Sequence, residues 1–377
     1  MSTLFSRFVG TCVVCLLLAG CSDQLSLENA ATPLALGMDL DQNGTFKFYS
    51  SAPVFSKNIK KKSVETGGSA LTLRESRAKQ DAQLAGAAQG RNYQVIIVGK
   101  RMLQHDDWFK MMDVIYRDAR NTVTDRMVMY DGAVSEIIAF NQVDQPPLPI
   151  LLRGMIDSNS SRSETVHTTA QELHRQIYET GITPSISEVR LQNNKVILFG
   201  SALLNHRGKY MESLGPQESI LLNILKGDAK AGISLSYPMP DKPMTGPFHT
   251  NIVSFSAGKV KVKVKSGYKQ GKFHFDITLA SLITLSEEMF AYNIDRDNDE
   301  LARRINEQSK KQLEKLIAKF QSHRIDPIGL GLYARAHHFR QYEKVQEHWG
   351  DALADADISI NVKFAIGAMG PVQGGLK

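Results

Sequence analysis

The stretch PLALGMDLDQNGTFKFYSSAPVF, Pro33 to Phe55, decides how the rest of the chain is read. Inside it, Asp39 to Gly44 spells D-x-D-x-N-G, the first half of an EF-hand calcium loop. Such a loop needs a bidentate Glu at its twelfth position and a helix on each side. Position twelve is Ser50, and both flanks, LALGMDL and TFKFYS, read as strands. Asn43-Gly44 is the strongest short hairpin signal, because a two-residue turn asks for positive φ at its central positions. An antiparallel hairpin is therefore expected here, with no metal ligands among Asp39, Asp41 and Asn43.

Upstream of the hairpin, MSTLFSR precedes the uncharged apolar run FVGTCVVCLLL and then Leu18-Ala19-Gly20-Cys21. This is the pattern of a signal peptide over residues 1–20. The run from Phe8 to Leu18 is shorter than the ~20 residues that span a bilayer. Leu-Ala-Gly-Cys resembles the lipobox of bacterial lipoproteins, in which the cysteine thiol accepts diacylglycerol before cleavage. Of the three cysteines, Cys12 and Cys15 fall in the discarded part. Cys21 alone would remain, which excludes an internal disulfide framework and assigns its thiol to lipid attachment. A diacylglyceryl group anchors stably where a single acyl chain holds only marginally.

The whole chain has 377 residues, 42% of them hydrophobic and 22% charged, an ordinary globular balance. Its formal charge of +6 is mild and dispersed, so nucleic acid is not expected as a partner. Past the hairpin, Ser69 to Gln89 has a helical pattern, YQVIIVGKRML and RMVMY read as strands, and a helix is expected from His105 toward Arg120. DSNSSRSE reads as a polar connection before helix HTTAQELHRQIYETG. EVRLQNNKVILFGSALL is strand-like around a turn at Asn193-Asn194, and two adjacent strands are expected on either side of Ser266-Gly267. The longest helix is expected over 297–323, with Leu301, Ile305, Leu313, Leu316, Ile317 and Phe320 as one apolar stripe. Strands and helices alternate irregularly, which argues for an α+β class.

Motifs for catalysis or cofactors are missing. Gly329-Leu330-Gly331-Leu332-Tyr333-Ala334 matches a dinucleotide fingerprint but follows a helix end and a proline instead of a strand. The ten histidines lack paired metal spacing, and no G-x-S-x-G elbow occurs. No catalytic, cofactor or metal residue is nominated. KVKVKVK places Lys259, Lys261, Lys263 and Lys265 on one face of a strand. These lysines either stay solvated and guard against edge-to-edge pairing or form a basic stripe toward anionic headgroups or an acidic partner. Arg117, Asp118 and Arg120 are either contact residues or a surface ion-pair cluster.

In order and spacing, four blocks resemble the GerAC family of spore germination lipoproteins, the C subunits of nutrient germinant receptors. They are GCSD with ALGMDLDQNGTFKFYS, then RDARNTVTDRMVMYDGAVSEII, then KVILFGSALLNHRGKYMESLGPQESILLNILKG, and finally IDPIGLGLYARAHHFRQYEKVQEHWGDALADADISINVKFAIGAMG. In the last block Asp326, the Gly329 and Gly331 turn and Trp349 carry the rhythm. The resemblance implies three mixed α/β domains, each with a small mixed or antiparallel sheet and packed helices, here over 21–192, 193–265 and 266–377. It also implies a non-enzymatic lipoprotein on the outer face of the inner spore membrane, joined to a multi-pass A subunit and a permease-like B subunit that respond to small nutrients. The competing class is a solute-binding lipoprotein that delivers a ligand to a transporter, which would need two similar lobes around a deep cleft.

Overall fold

The computed structural model describes residues 30–54, 61–84, 87–88, 92–140, 145–239, 244, 247–248, 251–288 and 294–369. The expected signal peptide over 1–20 and Cys21 lie outside these residues. The hairpin forms as expected: β1 (Ala35–Leu40) pairs antiparallel with β2 (Phe46–Pro53), from Ala35 opposite Ser51 to Leu40 opposite Phe46. Its turn is not the two-residue kind. Gly44 donates to the Asp41 carbonyl at 3.0 Å, Asp41 donates to the Thr45 carbonyl at 3.0 Å, and Gly44 alone takes a left-handed φ, of 76°. This is a three-residue loop closed by a left-handed glycine. The Asp41 carboxylate accepts from the Asn43 and Thr45 amides at 2.9 Å each, so the would-be calcium ligand holds the turn.

Eight strands make the first sheet. After β1 and β2 come β3 (Ser63–Ser69), β4 (Val95–Gly99), β5 (Arg126–Tyr130), β6 (Ser185–Gln192), β7 (Lys195–Leu204) and β8 (Tyr210–Leu214), in the spatial order β8-β7-β6-β5-β4-β1-β2-β3. The central four, β6, β5, β4 and β1, are parallel, and antiparallel hairpins extend the sheet at both ends. VIIVG and RMVMY are buried along their whole length because helices cover both faces. On one face lie α3 (Val134–Ala139) and α4 (Leu148–Ser161), whose Val134, Ile137, Leu152 and Ile156 meet Val95, Ile97 and Val128. On the other lie α2 (Asp113–Arg117), the turn before it with Trp108, and α5 (Ala170–Tyr178).

Three local expectations are corrected. The described residues of 69–89 hold one short helix, α1 (Ser76–Asp81), preceded by strand β3. The helix expected from His105 to Arg120 is a tight 3-10 turn, Trp108–Met112, followed by the five residues of α2. DSNSSRSE is not a connection for most of its length, since α4 runs on to Ser161. There Asn159, Ser160 and Ser161 bond back to the carbonyls of Met155, Asp157 and Ser158 at 2.7, 3.0 and 2.6 Å, which lets polar residues complete a helix end.

The second sheet is built on one long strand, β12 (Lys272–Glu288). Along one edge of β12 run β11 (Lys261–Lys269) and then β10 (Ile252–Ala257), both antiparallel to it. Its other edge carries the parallel final strand β13 (Asp357–Met369). Outside β10 lies β9 (Ile233–Pro238). The β11-β12 turn is Gln270-Gly271, with φ of 50° and 80°, while Ser266 and Gly267 stay in the ladder opposite Phe275 and His274. Helix α6 (Pro216–Lys226) leads into this sheet. The long helix α7 (Ile294–Ser322) packs on it with Leu301, Ile305, Leu313, Leu316, Ile317 and Phe320 all buried. Three short helices follow, α8 (Leu330–His337), α9 (Phe339–Tyr342) and α10 (Trp349–Ala354).

The expected boundary at 192–193 falls at the tip of the β6-β7 hairpin, where Asn193 and Asn194 have φ of 49° and 58°. The boundary at 265–266 falls inside β11. Two open sheet edges are each met by a carboxamide. Gln83 accepts from the Gly67 amide and donates to its carbonyl, at 3.1 and 3.0 Å, on the outer side of β3. Asn306 of α7 does the same for Phe364 of β13, at 2.7 and 3.0 Å.

Candidate functional site

The chain leaves α7 at Ser322 and turns sharply, with Arg324 at φ 54° and Gly329 at φ 79°, before α8 begins. Asp326 lies between the two helices with no exposed surface. Its Oδ1 accepts from the Gly329 amide at 2.8 Å, and its Oδ2 accepts from the Gly331 amide at 2.8 Å and the Trp349 indole at 2.7 Å. Burial pushes the carboxyl upward, and these donors oppose that without cancelling it. A carboxylate at the opening of a helix is also favoured by the helix dipole.

The segment from α5 to β6 docks against this knot. Thr183 donates its amide to the Asp326 carbonyl at 2.8 Å, and Thr180 shares a 2.8 Å hydrogen bond with the Tyr342 hydroxyl. Glu179 accepts two bonds from Arg335, at 2.7 and 3.0 Å. Gly181 and Gly331 touch backbone to backbone, for a Cβ on Gly331 would sit 2.6 Å from the Gly181 Cα. These contacts fix the first sheet against the second. One core runs through the joint, from Val166, Leu203 and Leu214 to Phe255, Phe320 and Phe364.

Three more carboxylates are buried among the described residues. Asp39 accepts from the Leu40 amide at 2.8 Å and the Val134 amide at 3.0 Å, so β1 caps the start of α3. Glu188 is held by Arg190 at 2.6 Å, and the Arg190 guanidinium carbon lies over the Phe199 ring, 3.3 Å from its centroid. Asp125 has one partner, the Thr122 hydroxyl at 3.2 Å, and its Oδ2 makes no hydrogen bond. Burial pushes the Asp125 carboxyl up to about 7, against the pull of Thr122, Arg153 and Arg126. Folding therefore takes up a proton between about pH 4 and about pH 7, and stability falls as pH rises through that window. Asp125→Asn is expected to flatten this fall and to raise stability at pH 8 by roughly 1–3 kcal/mol. Urea unfolding of both proteins at pH 5 and pH 8 checks it, and an unchanged pH slope in the variant would refute it. Among the described residues, no three His, Cys, Asp or Glu side chains converge as a metal site requires.

Residues 23–191 match the family described as spore germination protein N-terminal domain, and residues 199–370 match spore germination B3/GerAC like, C-terminal. The chain belongs to the GerAC family. It is similar in fold to the crystal structure of the GerBC protein, with a TM-score of 0.55 and 16% identity over 88% of this chain and 96% of that one. No curated protein matches the chain. As a GerAC-family protein it is a germinant-receptor subunit acting in spore germination, part of a receptor complex. The family's two segments do not fold apart: β7 and β8, after residue 191, complete the sheet of the first segment. No helix among the described residues is long and apolar enough to cross a membrane.

The residues singled out from the sequence of this GerAC chain lie away from the joint. Arg117 pairs with Asp113 at 2.7 Å, and Asp118 pairs with Arg120 at 2.6 Å and with Arg74 at 3.4 Å, which is a surface ion-pair group. Lys259, Lys261, Lys263 and Lys265 all face solvent, while Val260, Val262 and Val264 pack on the core. Sequence reasoning reached Asp326, Gly329, Gly331 and Trp349 only as a family rhythm. It missed Glu179, Thr180, Arg335 and Tyr342, whose partners lie more than a hundred residues away and leave no local pattern.

Proposed function

We propose that this receptor subunit is tethered through diacylglycerol and an N-acyl chain on Cys21 to the outer face of the inner spore membrane. There it works with a multi-pass A subunit and a permease-like B subunit by assembly and contact, in response to small nutrients, and performs no catalysis. The observation that carries the tether is positional: the family match begins at residue 23, just past Leu18-Ala19-Gly20-Cys21. A contact role is supported by three of the buried carboxylates, Asp39, Asp326 and Glu188, which are committed to a cap, a turn and an ion pair.

A solute-binding lipoprotein would close two lobes over a cleft. The shared core through the joint argues against that. A groove of about 510 Å³, lined by Asp299, Arg303, Glu307, Lys310, Ile360 and Val362, lies between α7 and β13 and so within the second sheet's own layers, not between two lobes. The test is affinity purification from detergent-solubilised spore membranes, with wild type and Cys21→Ala side by side. Wild type is expected in the membrane fraction together with A and B subunits, and the variant is expected to leave that fraction. Membrane retention of the variant at the wild-type level would overturn the tether, and wild type recovered without A and B would overturn the assembly.

A further inference from the structure

The solvent side of the second sheet combines lysines that the sequence alone does not bring together. The ladder sets Lys261 opposite Ala280, and Ala280 opposite Lys363 of β13, so the two lysines share a transverse row about 10 Å wide. The next row is Lys263, Thr278 and Asn361, and the one after is Lys265, Asp276 and Ser359. Charge is graded along the strands. At the hairpin end acidic groups sit among the basic ones: Asp276 accepts from the Ser359 hydroxyl, and Asp357 lies 3.2 Å from His274.

Toward the other end, residues 258–263, 278–284 and 361–367 contain no Asp or Glu and carry Lys259, Lys261, Lys263 and Lys363. In their midst Leu282 is 68% exposed. It rises from a floor of small residues: Gly258 donates to its carbonyl, Ala365 is opposite it, and a Cβ on Gly367 would touch its side chain at 3.4 Å. An exposed leucine among lysines, with the next acids of β12 only at its far end, Glu287 and Glu288, has the composition of a surface that dips one apolar side chain below headgroups while long cationic stems stay level with them. All the cations on β11, β12 and β13 apart from His274 are lysines, with no arginine. Arginine would suit bidentate recognition of carboxylates on a protein partner, whereas lysine is a point charge suited to a diffuse anionic field.

We propose that this end of the sheet face docks on an anionic lipid surface, with Lys259, Lys261, Lys263 and Lys363 around Leu282. The proposal rests on the reading of the chain as a membrane-bound subunit, and it orients the body on the bilayer. Its test is independent of the tether and of the other subunits. Residues 22–377, which lack the expected signal peptide and Cys21, are sedimented with vesicles of about one third phosphatidylglycerol in phosphatidylcholine, and with pure phosphatidylcholine, at about 0.1 M and about 1 M salt. Binding is expected to favour the anionic vesicles at low salt and to lose that preference at high salt, where the Debye length falls to ~3 Å.

Each lysine near such a surface is worth about fivefold in partitioning. Lys261→Gln with Lys363→Gln should therefore reduce the preference by at least about tenfold. Leu282→Ser should weaken anionic binding as well, and Arg117→Gln with Arg120→Gln should leave it unchanged. These side chains are exposed, so thermal unfolding of the variants is expected to match the parent and separates lost binding from lost fold. Equal binding to both vesicle types, or a double lysine variant that binds as well as the parent, would overturn the proposal. The first of those results would leave the face to an acidic protein.

Discussion

Asp326→Ala is expected to be the most damaging single change in the described chain, lowering stability by roughly 3–5 kcal/mol. The substitution leaves the Gly329 and Gly331 amides and the Trp349 indole buried with no acceptor, and each stranded donor costs about 1–3 kcal/mol. Asp326→Asn separates charge from shape. An asparagine keeps one acceptor oxygen, but its amino group must face either the Gly329 amide or the pair formed by Gly331 and Trp349. It is therefore expected to lose at least ~2 kcal/mol in spite of matching the aspartate in size. Urea unfolding followed by far-UV circular dichroism and by tryptophan fluorescence measures both variants. An Asp326→Asn protein within ~1 kcal/mol of wild type would show that the three donors do not depend on the carboxylate.

Gly331→Ala sets two effects against each other. Alanine is the better helix former by about 1 kcal/mol, and Gly331 lies in the first turn of α8. The added Cβ, however, would meet the Gly181 Cα at 2.6 Å, the Gly181 carbonyl oxygen at 2.8 Å and the Trp349 indole nitrogen at 2.8 Å. Two of these neighbours are backbone, so relief has to come from moving residues 179–183 away from α8. That strains the Thr183, Thr180 and Glu179 contacts together. Overpacking of this kind costs typically 1–3 kcal/mol, and the shared contacts push toward the upper figure. Gly154→Ala in α4 is the matched control, because nothing lies within 4 Å of its Cβ position. There the same substitution should stabilise by about 0.5–1 kcal/mol. If both glycine variants shift the unfolding midpoint in the same direction, the close approach of α8 to Gly181 does not govern the cost.

What was readable from the sequence follows the range of the forces involved. The first hairpin, the Asn193-Asn194 turn, the alternating lysine strand and the apolar stripe of α7 are set by neighbours a few residues apart, and the pattern alone placed them. Asn43-Gly44 pointed to the right place with the wrong turn, because Asp41 adds two hydrogen bonds that favour a longer loop. The end of α4 was hidden because serine and asparagine mark a loop in isolation yet complete a helix when they bond back to it. At the joint, Glu179 and Arg335 are 156 positions apart. Lys363 enters the lysine face only because β13 runs parallel beside β12. Strand order at that distance is decided by packing of the whole chain and has no signature in the residues that end up adjacent.

The carboxamides of Gln83 and Asn306 bear on how crowded this protein can become. Molecules confined to a surface meet far more often than molecules in bulk solution, and always in similar orientations. An unguarded strand edge would turn such encounters into a growing ribbon, since each copy that adds presents a fresh edge for the next. The Gln83 amide, from the turn after α1, supplies one donor and one acceptor to Gly67, the Asn306 amide of α7 does so for Phe364, and each stands where a neighbour's strand would have to begin. At Gly67 and Phe364, one residue on each edge, the backbone is already spoken for, so a neighbour's strand cannot begin to pair there.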